Sequence, residues 1–326
     1  MSALKINLIF IKILEIKKGV INMLINGIPD FLYDSLLKQY GEELTKKIIE
    51  GYTSKRNVSF RVNTLKANVQ EIEEVLDSND IEYSKVSWCD EAFILENAIE
   101  NDIRKLDIYE EGKIYLQSLS SMIPAIIVNP ITEENILDMA AAPGGKTTQM
   151  AALSNNQALI TACEKNKIRA ERLKYNLEKQ GASKVSVLNE DSRNLSEYFS
   201  FDKILLDAPC SGSGTISIED KELEKVFTID LVNRSVKTQY NLLKKAASIL
   251  KSGHEMVYST CSILHEENEG NMIKILKENK LEIVPIDKSA FEDMPLLPVS
   301  LDGTICVCPT KLYEGFFVAK LRKRKG

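Results

Sequence analysis

The stretch ILDMAAAPGGKT, residues 136–147, joins a short apolar run to a turn of small residues and then to a helical pattern. Two glycines and three alanines in this turn let the backbone approach a ligand closely, because they carry little or no side chain. In an open α/β sheet, ligands bind at the ends of the strands. The stretch therefore predicts the first strand, the ligand-binding turn and the first helix of such a sheet.

The residues that follow alternate short apolar runs with longer helical patterns, which is typical of a parallel, doubly wound sheet. We therefore expect an α/β fold. Strands are predicted at residues 136–139, 158–162, 185–188, 203–206 and 255–258, with a closing strand at 315–321. Helices are predicted between them at residues 146–152, 168–179, 232–250 and 267–277.

Upstream, a helix is predicted at residues 29–49, and residues 59–95 follow the order strand, helix, strand, strand, which indicates a small α+β module. A chain of 326 residues is expected to form about two domains. We place the helix and the module at residues 29–122 and a larger domain at 123–326. Residues 1–28 are expected to be an extension. Its first 22 residues are expected either to be a peripheral extension of the fold or to result from a misassigned start.

The extension is apolar, but four charged residues interrupt it between residues 6 and 25. A membrane span needs about 18 residues with few charges, and a signal peptide needs a longer uncharged core. The whole chain has an ordinary globular composition, with 44% hydrophobic and 27% charged residues. We therefore expect a cytoplasmic protein that does not contact a membrane.

Six cysteines are spread over the chain without a Cys-x-x-Cys pair, and the chain has two histidines. This pattern predicts reduced thiols and no metal site. Cys306 and Cys308 are interpreted as half-buried residues on one face of a strand. Cys210 and Cys261 stand in a different context, which is considered below.

The net charge of −5 argues against a uniformly basic nucleic-acid-binding protein. The charges are unevenly distributed, however, and residues 320–325 contain five cations. We expect Arg61, Lys66 and this tail to form a local patch that contacts phosphates. The alternative is that the tail is simply solvated.

The glycine-rich turn does not match either of two common nucleotide-binding motifs. A P-loop requires glycine at the position that Ala140 occupies, and the dinucleotide fingerprint Gly-x-Gly-x-x-Gly is absent. Glu164 ends the second predicted strand, where it could accept hydrogen bonds from ribose hydroxyls, and Asp191 follows the third, where it could accept an adenine amino group. Any one of these acids alone would be interpreted as a solvated surface residue, but together they favour a nucleoside-containing cofactor.

Two cysteines follow two other strands, in the sequences DAPCSGSG (residues 207–214) and YSTCS (residues 258–262). A lone cysteine is usually a small buried hydrophobe. Cys210 and Cys261, however, both lie in polar turns rich in glycine or serine, at the edge of the sheet that carries the cofactor turn. Exposed thiols in such turns can ionise to thiolates.

Two thiols, an acid and a methyl-donor site are the groups that methylation at carbon 5 of a pyrimidine requires. A thiolate that adds to carbon 6 makes carbon 5 nucleophilic. A base must then remove the proton from carbon 5 so that the thiol can leave. An acidic side chain can hydrogen-bond the ring nitrogen and the amino group of cytosine and offset the charge that develops.

The sequences DMAAAPGGKTTQ, DAPCSGSGT, YSTCSI and HEENE resemble motifs of the NOL/NOP/Sun family of RNA cytosine-C5 methyltransferases, as do SFRVNTLKA upstream and YEGFFVAK near the end. The resemblance covers about residues 59–321. It implies a Rossmann-like methyltransferase domain behind an RNA-recognition-motif-like module, with S-adenosylmethionine as the cofactor and RNA as the partner. Small-subunit rRNA is the expected substrate, tRNA is the alternative, and a monomer is expected.

The resemblance also implies roles for individual residues. Cys261 is expected to be the nucleophile, and Cys210 is expected to assist release. Asp207 and Lys146 are expected to position the target cytosine. The cofactor is expected to contact Ala140, Ala141, Ala142, Pro143, Gly144, Gly145, Lys146, Glu164, Arg169, Asp191 and Asp207.

Three other classes of protein were weighed against these residues. An amino-group methyltransferase would carry an Asp/Asn-Pro-Pro-aromatic motif where this chain has Asp207 to Cys210. A DNA cytosine methyltransferase would use a single Pro-Cys nucleophile and would not need Cys261. A non-catalytic RNA-binding or ribosome-assembly protein would have no use for Cys261 either, so the presence of this residue favours an enzyme.

Overall fold

The computed structural model describes residues 27–218, 220 and 222–325, so residues 1–26 of the expected extension lie outside the described residues. The described chain forms one sheet of four strands and one of nine. The smaller sheet belongs to the N-terminal part of the chain, and the larger one carries the glycine-rich turn.

The N-terminal part begins with a long helix and continues into the four-stranded sheet. Its elements are, in chain order, α1 (Asp30–Thr53), β1 (Ser59–Val62), α2 (Val69–Ser78), β2 (Tyr83–Val86), β3 (Cys89–Leu95), α3 (Glu100–Ile103), α4 (Asp107–Glu110) and β4 (Ile114–Leu116). The strands are ordered β2-β3-β1-β4 with antiparallel pairings, which is the ferredoxin-like arrangement. The predicted order of strand, helix, strand, strand is confirmed, and β4 completes the sheet.

Aromatic and aliphatic side chains hold this small module together. Phe60 and Phe93 stack with their ring centroids 5.2 Å apart, in a core that also contains Ile72 of α2. Asn68 caps the start of α2, because its side chain accepts a hydrogen bond from the backbone N–H of Glu71 at 2.9 Å. The apolar faces of β1, β3 and α2 are thereby buried against one another.

The larger domain alternates helices and strands. Its elements are α5 (Leu119–Val128), β5 (Asn135–Asp138), α6 (Gly145–Leu153), β6 (Leu159–Cys163), α7 (Lys167–Gln180), β7 (Val185–Leu188), β8 (Phe201–Asp207), α8 (Leu223–Val226), α9 (Ile229–Ile249), β9 (Leu250–Thr260), α10 (Glu269–Leu276), β10 (Leu281–Val284), β11 (Leu296–Leu297), β12 (Ile305–Val307) and β13 (Phe316–Lys323). The sheet order is β11-β12-β13-β9-β8-β5-β6-β7, and β10 pairs with β13.

Alternate residues of the central strands face opposite layers of helices. In β8, Ile204 and Leu206 enter one core with α1, α9 and α10, whereas Leu205 enters the other core with α5, α6 and α7. Helices on both faces are what a parallel sheet requires. The predicted Rossmann-like, doubly wound α/β fold is confirmed for the parallel strands β5 to β9.

The sheet is nevertheless mixed, because β13 pairs antiparallel with β9 and with both β10 and β12. The sequence predicts β13 as the closing strand, and the interpretation of Cys306 and Cys308 as strand residues anticipates β12, but β10 and β11 are not predicted. The strands β10, β11 and β12 have two to four residues each, and the only regular element between β10 and β11 in the described residues is a 3-10 helix of four residues, Lys288–Phe291. Runs this short carry too little alternation to be separated from loops.

Arg61 is buried between the two sheets, so its predicted place in an exposed phosphate-binding patch is wrong. Its Nε donates to Gln117 Oε1 at 2.9 Å, and its Nη2 donates to Thr148 Oγ1 at 2.7 Å and to the carbonyl of Gly145 at 3.1 Å. Burial lowers the pKa of the guanidinium to about 10. Arg61 therefore joins β1 to the first turn of α6 and fixes the N-terminal module against the larger domain.

The basic tail also differs from expectation. Residues up to Lys323 belong to β13, where Lys320 pairs with Glu255 at 2.7 Å and Arg322 pairs with the same carboxylate at 2.6 Å. The first part of the tail is therefore a paired strand, neither a solvated segment nor a free phosphate-binding patch.

Cys306 and Cys308 are fully buried, although the sequence predicts half-buried residues. Cys306 lies in β12 with its sulfur 3.8 Å from the hydroxyl of Tyr40, and burial raises the pKa of Cys308 to about 11. Both thiols are therefore packing residues.

Two kinds of feature are absent from residues 27–218, 220 and 222–325. In that part of the chain, none of the helices combines the length and the apolar character that crossing a bilayer takes. The same residues contain no group of three or more His, Cys, Asp or Glu side chains that could hold a metal ion.

We expect Arg61→Met to lower the free energy of unfolding by about 3 kcal/mol, because it leaves buried oxygen atoms without their donor. Urea unfolding followed by circular dichroism measures the change. Lys38→Met, at an exposed lysine of α1, is the control and should change stability by less than about 0.5 kcal/mol. Equal stabilities of the two variants would contradict the joining role of Arg61.

Candidate active site

The turn after β5 is held in place by α7. Asn176 donates to the carbonyl of Pro143 at 2.7 Å, and Arg169 donates to the carbonyl of Ala142 at 2.7 Å. Gly144 has a φ of 109°, and a Cβ there would lie 2.9 Å from a methyl carbon of Leu173. Glycine is thus required both by the backbone conformation and by the space available. The predicted cofactor turn is therefore a tight loop at the end of the sheet.

Asp138, the last residue of β5, stabilises this loop from below. Its carboxylate is buried and accepts hydrogen bonds from Thr147 Oγ1 at 2.7 Å and from the backbone N–H of Ala140 at 3.4 Å. Burial raises the pKa of Asp138 to about 6, although the bond from Thr147 opposes the shift. The carboxylate thus ties the strand end to the loop and to the first turn of α6.

Two more carboxylates lie at the ends of the next strands. Glu164, at the end of β6, is buried; its Oε1 accepts from the backbone N–H of Asn166 at 2.8 Å, and its Oε2 lies 3.4 Å from Arg169. Asp191 follows β7 and accepts from the guanidinium of Arg193 at 2.9 and 2.5 Å, which lowers the pKa of Asp191. Glu164, Arg169 and Asp191 line one cleft, so the structure brings these predicted cofactor residues together.

Asp207 and Lys146 form an ion pair between the cofactor turn and the cysteine turns. Lys146 Nζ donates to Asp207 Oδ2 at 2.7 Å and to Ser121 Oγ at 2.8 Å. Ser259 donates to the other oxygen of Asp207 at 2.7 Å, and the ring of Phe316 lies 5.3 Å from the ammonium group. Both charged groups are mostly shielded from solvent, so their orientation is fixed by these contacts.

The sulfur atoms of Cys210 and Cys261 lie 3.0 Å apart. Parallel pairing of β8 with β9 places the two turns at the same edge of the sheet. The hydrogen bond with Cys261, together with burial, raises the pKa of Cys210 well above its usual value. The Cys210 thiol is therefore protonated at neutral pH and can donate to the sulfur of Cys261.

A cavity of about 380 Å³ opens beside this pair. Its lining combines one thiol, one ion pair and the small residues of the cofactor turn. The predicted site residues that line it are Cys261, Asp207, Lys146, Ala140, Ala141, Ala142, Pro143 and Gly145. A planar ring bound here would therefore meet a sulfur, a carboxylate and an ammonium group.

The two cysteine turns are bonded to each other. The backbone N–H of Gly214 donates to the carbonyl of Cys261 at 2.9 Å, and the hydroxyls of Ser213 and Ser262 are 2.8 Å apart. A Cβ on Gly214 would lie 2.0 Å from the carbonyl oxygen of Gly315, so glycine is required there. The turns therefore behave as one unit.

Glu267 lies in the core and holds the two turns together through hydrogen bonds. The sequence alone did not indicate this role. Its carboxylate is completely buried and accepts four hydrogen bonds. Ser211 donates through its backbone N–H and its hydroxyl at 2.8 and 2.6 Å, Ser262 at 2.6 Å and Gln239 at 3.1 Å. The signal that could have indicated it is the repeated Cys-Ser pair, because each of these serines directly follows a cysteine of the site.

The doubly wound sheet, the cofactor turn and the carboxylates at successive strand ends define a Rossmann-like methyltransferase. Residues 125–322 match the family model described as 16S rRNA methyltransferase RsmB/F, and residues 28–102 match the model of that family's ferredoxin-like domain. The chain belongs to the RsmB/F family of RNA methyltransferases, as the NOL/NOP/Sun resemblance predicts.

The chain is similar to the ribosomal RNA small subunit methyltransferases F of Shewanella sp. (strain ANA-3), with 35% identity over 275 residues, and of Vibrio campbellii, with 38% over 275 residues. The matches cover 82% and 81% of this chain but 56% of each relative, so the chain spans slightly more than half of their length.

Solved structures give the same result for the fold. A methyltransferase homolog protein from Pyrococcus horikoshii is 32% identical with a TM-score of 0.76, over 91% of this chain and 100% of that one. NSun6 from Pyrococcus horikoshii, solved with SFG, is 23% identical with a TM-score of 0.80, over 93% and 100% of the two chains.

We expect Glu267→Ala to lower the free energy of unfolding by about 3 kcal/mol, because it leaves buried donors of both cysteine turns unsatisfied. Glu266→Ala, at the exposed neighbouring residue, is the matched control and should cost less than about 0.5 kcal/mol. Chemical denaturation measures both. If the two variants unfold at the same denaturant concentration, Glu267 does not fasten the turns.

Proposed function

We propose that the protein is an S-adenosylmethionine-dependent RNA cytosine-C5 methyltransferase that acts on small-subunit rRNA. One observation carries the proposal: two thiols lie 3.0 Å apart at the ends of adjacent strands, beside a cavity whose lining includes an ion pair that is mostly shielded from solvent. Amino-group methylation uses no thiol, and a pair of adjacent thiols has no part in simple RNA binding.

Cys261 is the proposed nucleophile, because it lines the cavity. Its thiolate adds to carbon 6 of the target cytosine, and the electron pair of the ring double bond makes carbon 5 nucleophilic. Cys210 can donate a hydrogen bond to this sulfur, which lies 3.0 Å away.

Cys210 is the proposed base for release. The main cause of its raised pKa is the hydrogen bond with Cys261. After Cys261 has formed the carbon–sulfur bond, Cys210 must first lose its own proton to solvent. The Cys210 thiolate then takes the proton from carbon 5, the double bond re-forms, and the bond from carbon 6 to Cys261 breaks.

Asp207 and Lys146 are proposed to hold the base during these steps. The Asp207 carboxylate accepts a hydrogen bond from the amino group of cytosine, and the Lys146 ammonium offsets the negative charge that spreads over the ring after addition. Because Ser121 and Ser259 fix the pair in place, little rearrangement is needed when the base enters.

The cleft at the strand ends fits the cofactor's chemistry. S-adenosylmethionine supplies the methyl group when it is bound. Glu164 has acceptor capacity for ribose hydroxyls and Asp191 for an adenine amino group, since each carboxylate oxygen accepts more than one hydrogen bond. The remaining proposed contacts are Arg169, Asp207 and the turn from Ala140 to Lys146.

The substrate proposal follows the relatives, which are named small subunit ribosomal RNA methyltransferases. A cytosine must leave any stack before a thiol can reach it, so an unpaired or flipped base is proposed. A tRNA substrate is the alternative. We further propose that the enzyme acts in the cytoplasm as a monomer, with domains at residues 29–122 and 123–326.

Cys261→Ala should lower methyl transfer by about a thousandfold or more, because carbon 5 is then not activated. Cys210→Ala should instead accumulate a covalent protein–RNA adduct, visible as a denaturation-resistant band on a gel. Cys308→Ala, at a buried cysteine outside the site, is the control and should retain activity within about twofold. An adduct with Cys261→Ala but not with Cys210→Ala would reverse the two roles.

Bisulfite sequencing of cellular RNA, with and without the gene, tests the substrate proposal. We expect one or more cytosines of the small-subunit rRNA to lose protection when the gene is deleted. Loss of protection in tRNA alone would identify tRNA as the substrate instead of rRNA. No change in any RNA would refute the proposed function.

Glu164→Gln should weaken S-adenosylmethionine binding about tenfold, because a charged acceptor for the ribose is lost. Isothermal titration calorimetry measures this affinity. Glu178→Gln, at an exposed glutamate of α7, should bind the cofactor as the wild type does. Equal affinities of the two variants would contradict the ribose role.

A further inference from the structure

A groove between α7 and the N-terminal module encloses about 650 Å³ and is distinct from the cavity that Cys261 lines. One wall is formed by Arg172, Tyr175 and Lys179, which share a face of α7 because they are three and four residues apart. The other wall includes Arg104 and Tyr109, which lie between β3 and β4. The groove thus combines cations and aromatic rings from two modules.

The groove adjoins the candidate active site. Tyr115, Leu116 and Pro143 line both the groove and the cavity that contains Cys261. A polynucleotide with one base in the cavity would therefore continue into the groove on at least one side.

Two of the three cations of the groove pack against the ring of Tyr109. Lys179 Nζ lies 4.0 Å from the ring centroid of Tyr109, and the guanidinium carbon of Arg104 lies 4.9 Å from the same centroid. Glu110 is the acid among the described lining residues, and it pairs with Lys179 at 3.5 Å. Arg104 pairs with Glu100 of α3, which lies outside the lining. Across residues 27–218, 220 and 222–325, no carboxylate lies within salt-bridge distance of Arg172. The groove consequently has an excess of positive charge.

Tyr175 supplies a different kind of contact. Its side chain is 59% exposed on a helix face that also carries Arg172. Exposed aromatic rings beside cations are the means by which proteins bind single-stranded nucleic acid, since bases stack on the rings and phosphates meet the cations. An acidic protein segment would neutralise the cations but would leave the ring of Tyr175 without a role.

We propose that this groove binds the single-stranded RNA that flanks the target cytosine. Tyr175 stacks against a base, and Arg172 contacts a phosphate together with Arg104 and Lys179. The proposal rests on the proposed function in that it takes RNA as the substrate. It also relocates the phosphate-binding surface, because the structure uses Arg61 and most of the basic tail for internal contacts.

The test measures binding of a fluorescein-labelled 12-nucleotide oligocytidine, and methylation of a small-subunit rRNA transcript, at several salt concentrations. Tyr175→Ala should weaken oligonucleotide binding about tenfold, whereas Tyr175→Phe, which keeps the ring, should stay within about twofold of the wild type. Arg172→Gln should reduce the slope of log K against log salt by about 0.7, the value for one phosphate contact on a single strand. Lys174→Gln, at an exposed lysine of α7 outside the groove lining, is the control and should bind as the wild type does.

Two outcomes would overturn the proposal: wild-type RNA affinity in both Tyr175→Ala and Arg172→Gln, or equal losses in Tyr175→Phe and Tyr175→Ala. In the transcript assay, the expected effect of Tyr175→Ala is a raised KM, and a lowered kcat at unchanged KM would likewise contradict it. Failure of the proposed function is separate, because a wild-type enzyme that methylates no RNA refutes that function even if the groove variants bind RNA less tightly.

Discussion

The carboxylate of Glu267 cannot remain buried without hydrogen-bond donors, and most of its donors come from the turns that carry the two cysteines. An isolated carboxylate in the core would cost several kcal/mol, so the serines that follow Cys210 and Cys261 must stay where they are. The distance between the two thiols is therefore set largely by a residue that has no chemical step to perform. The pairing of β8 with β9 supplies the remaining constraint by bringing both turns to one edge.

The position of the two cysteines was predictable because the ends of parallel strands share an edge, and the apolar runs before each cysteine identify the strands. The role of Glu267, whose carboxylate holds the two cysteine turns together, was not predictable. Glu266 and Glu267 are adjacent acids in one motif, yet one is exposed and the other is buried. Only the three-dimensional arrangement of their donors separates them.

Charge along the sequence is a poor guide to the charged surface of this protein. Arg61 and Lys320 bind partners within the fold. The cations of the groove, in contrast, lie on two segments that are separated by about seventy residues of sequence. These segments meet because Gly112 packs against the end of α7: a Cβ there would lie 2.1 Å from the carbonyl oxygen of Lys179. The groove therefore depends on close contact between the N-terminal module and α7. No local sequence pattern predicts this contact.

The place of β13 in the sheet has a consequence for how the protein is made. This strand lies between β9 and β12, and Gly315 just before it packs against Gly214 in a cysteine turn. During synthesis β9 leaves the ribosome well before β13. The edge of β9 that later pairs with β13 therefore stays unpaired while more than fifty further residues are synthesised. The nascent domain thus cannot complete its sheet until residue 323 has emerged, and until then the exposed edge of β9 is a site for misassociation.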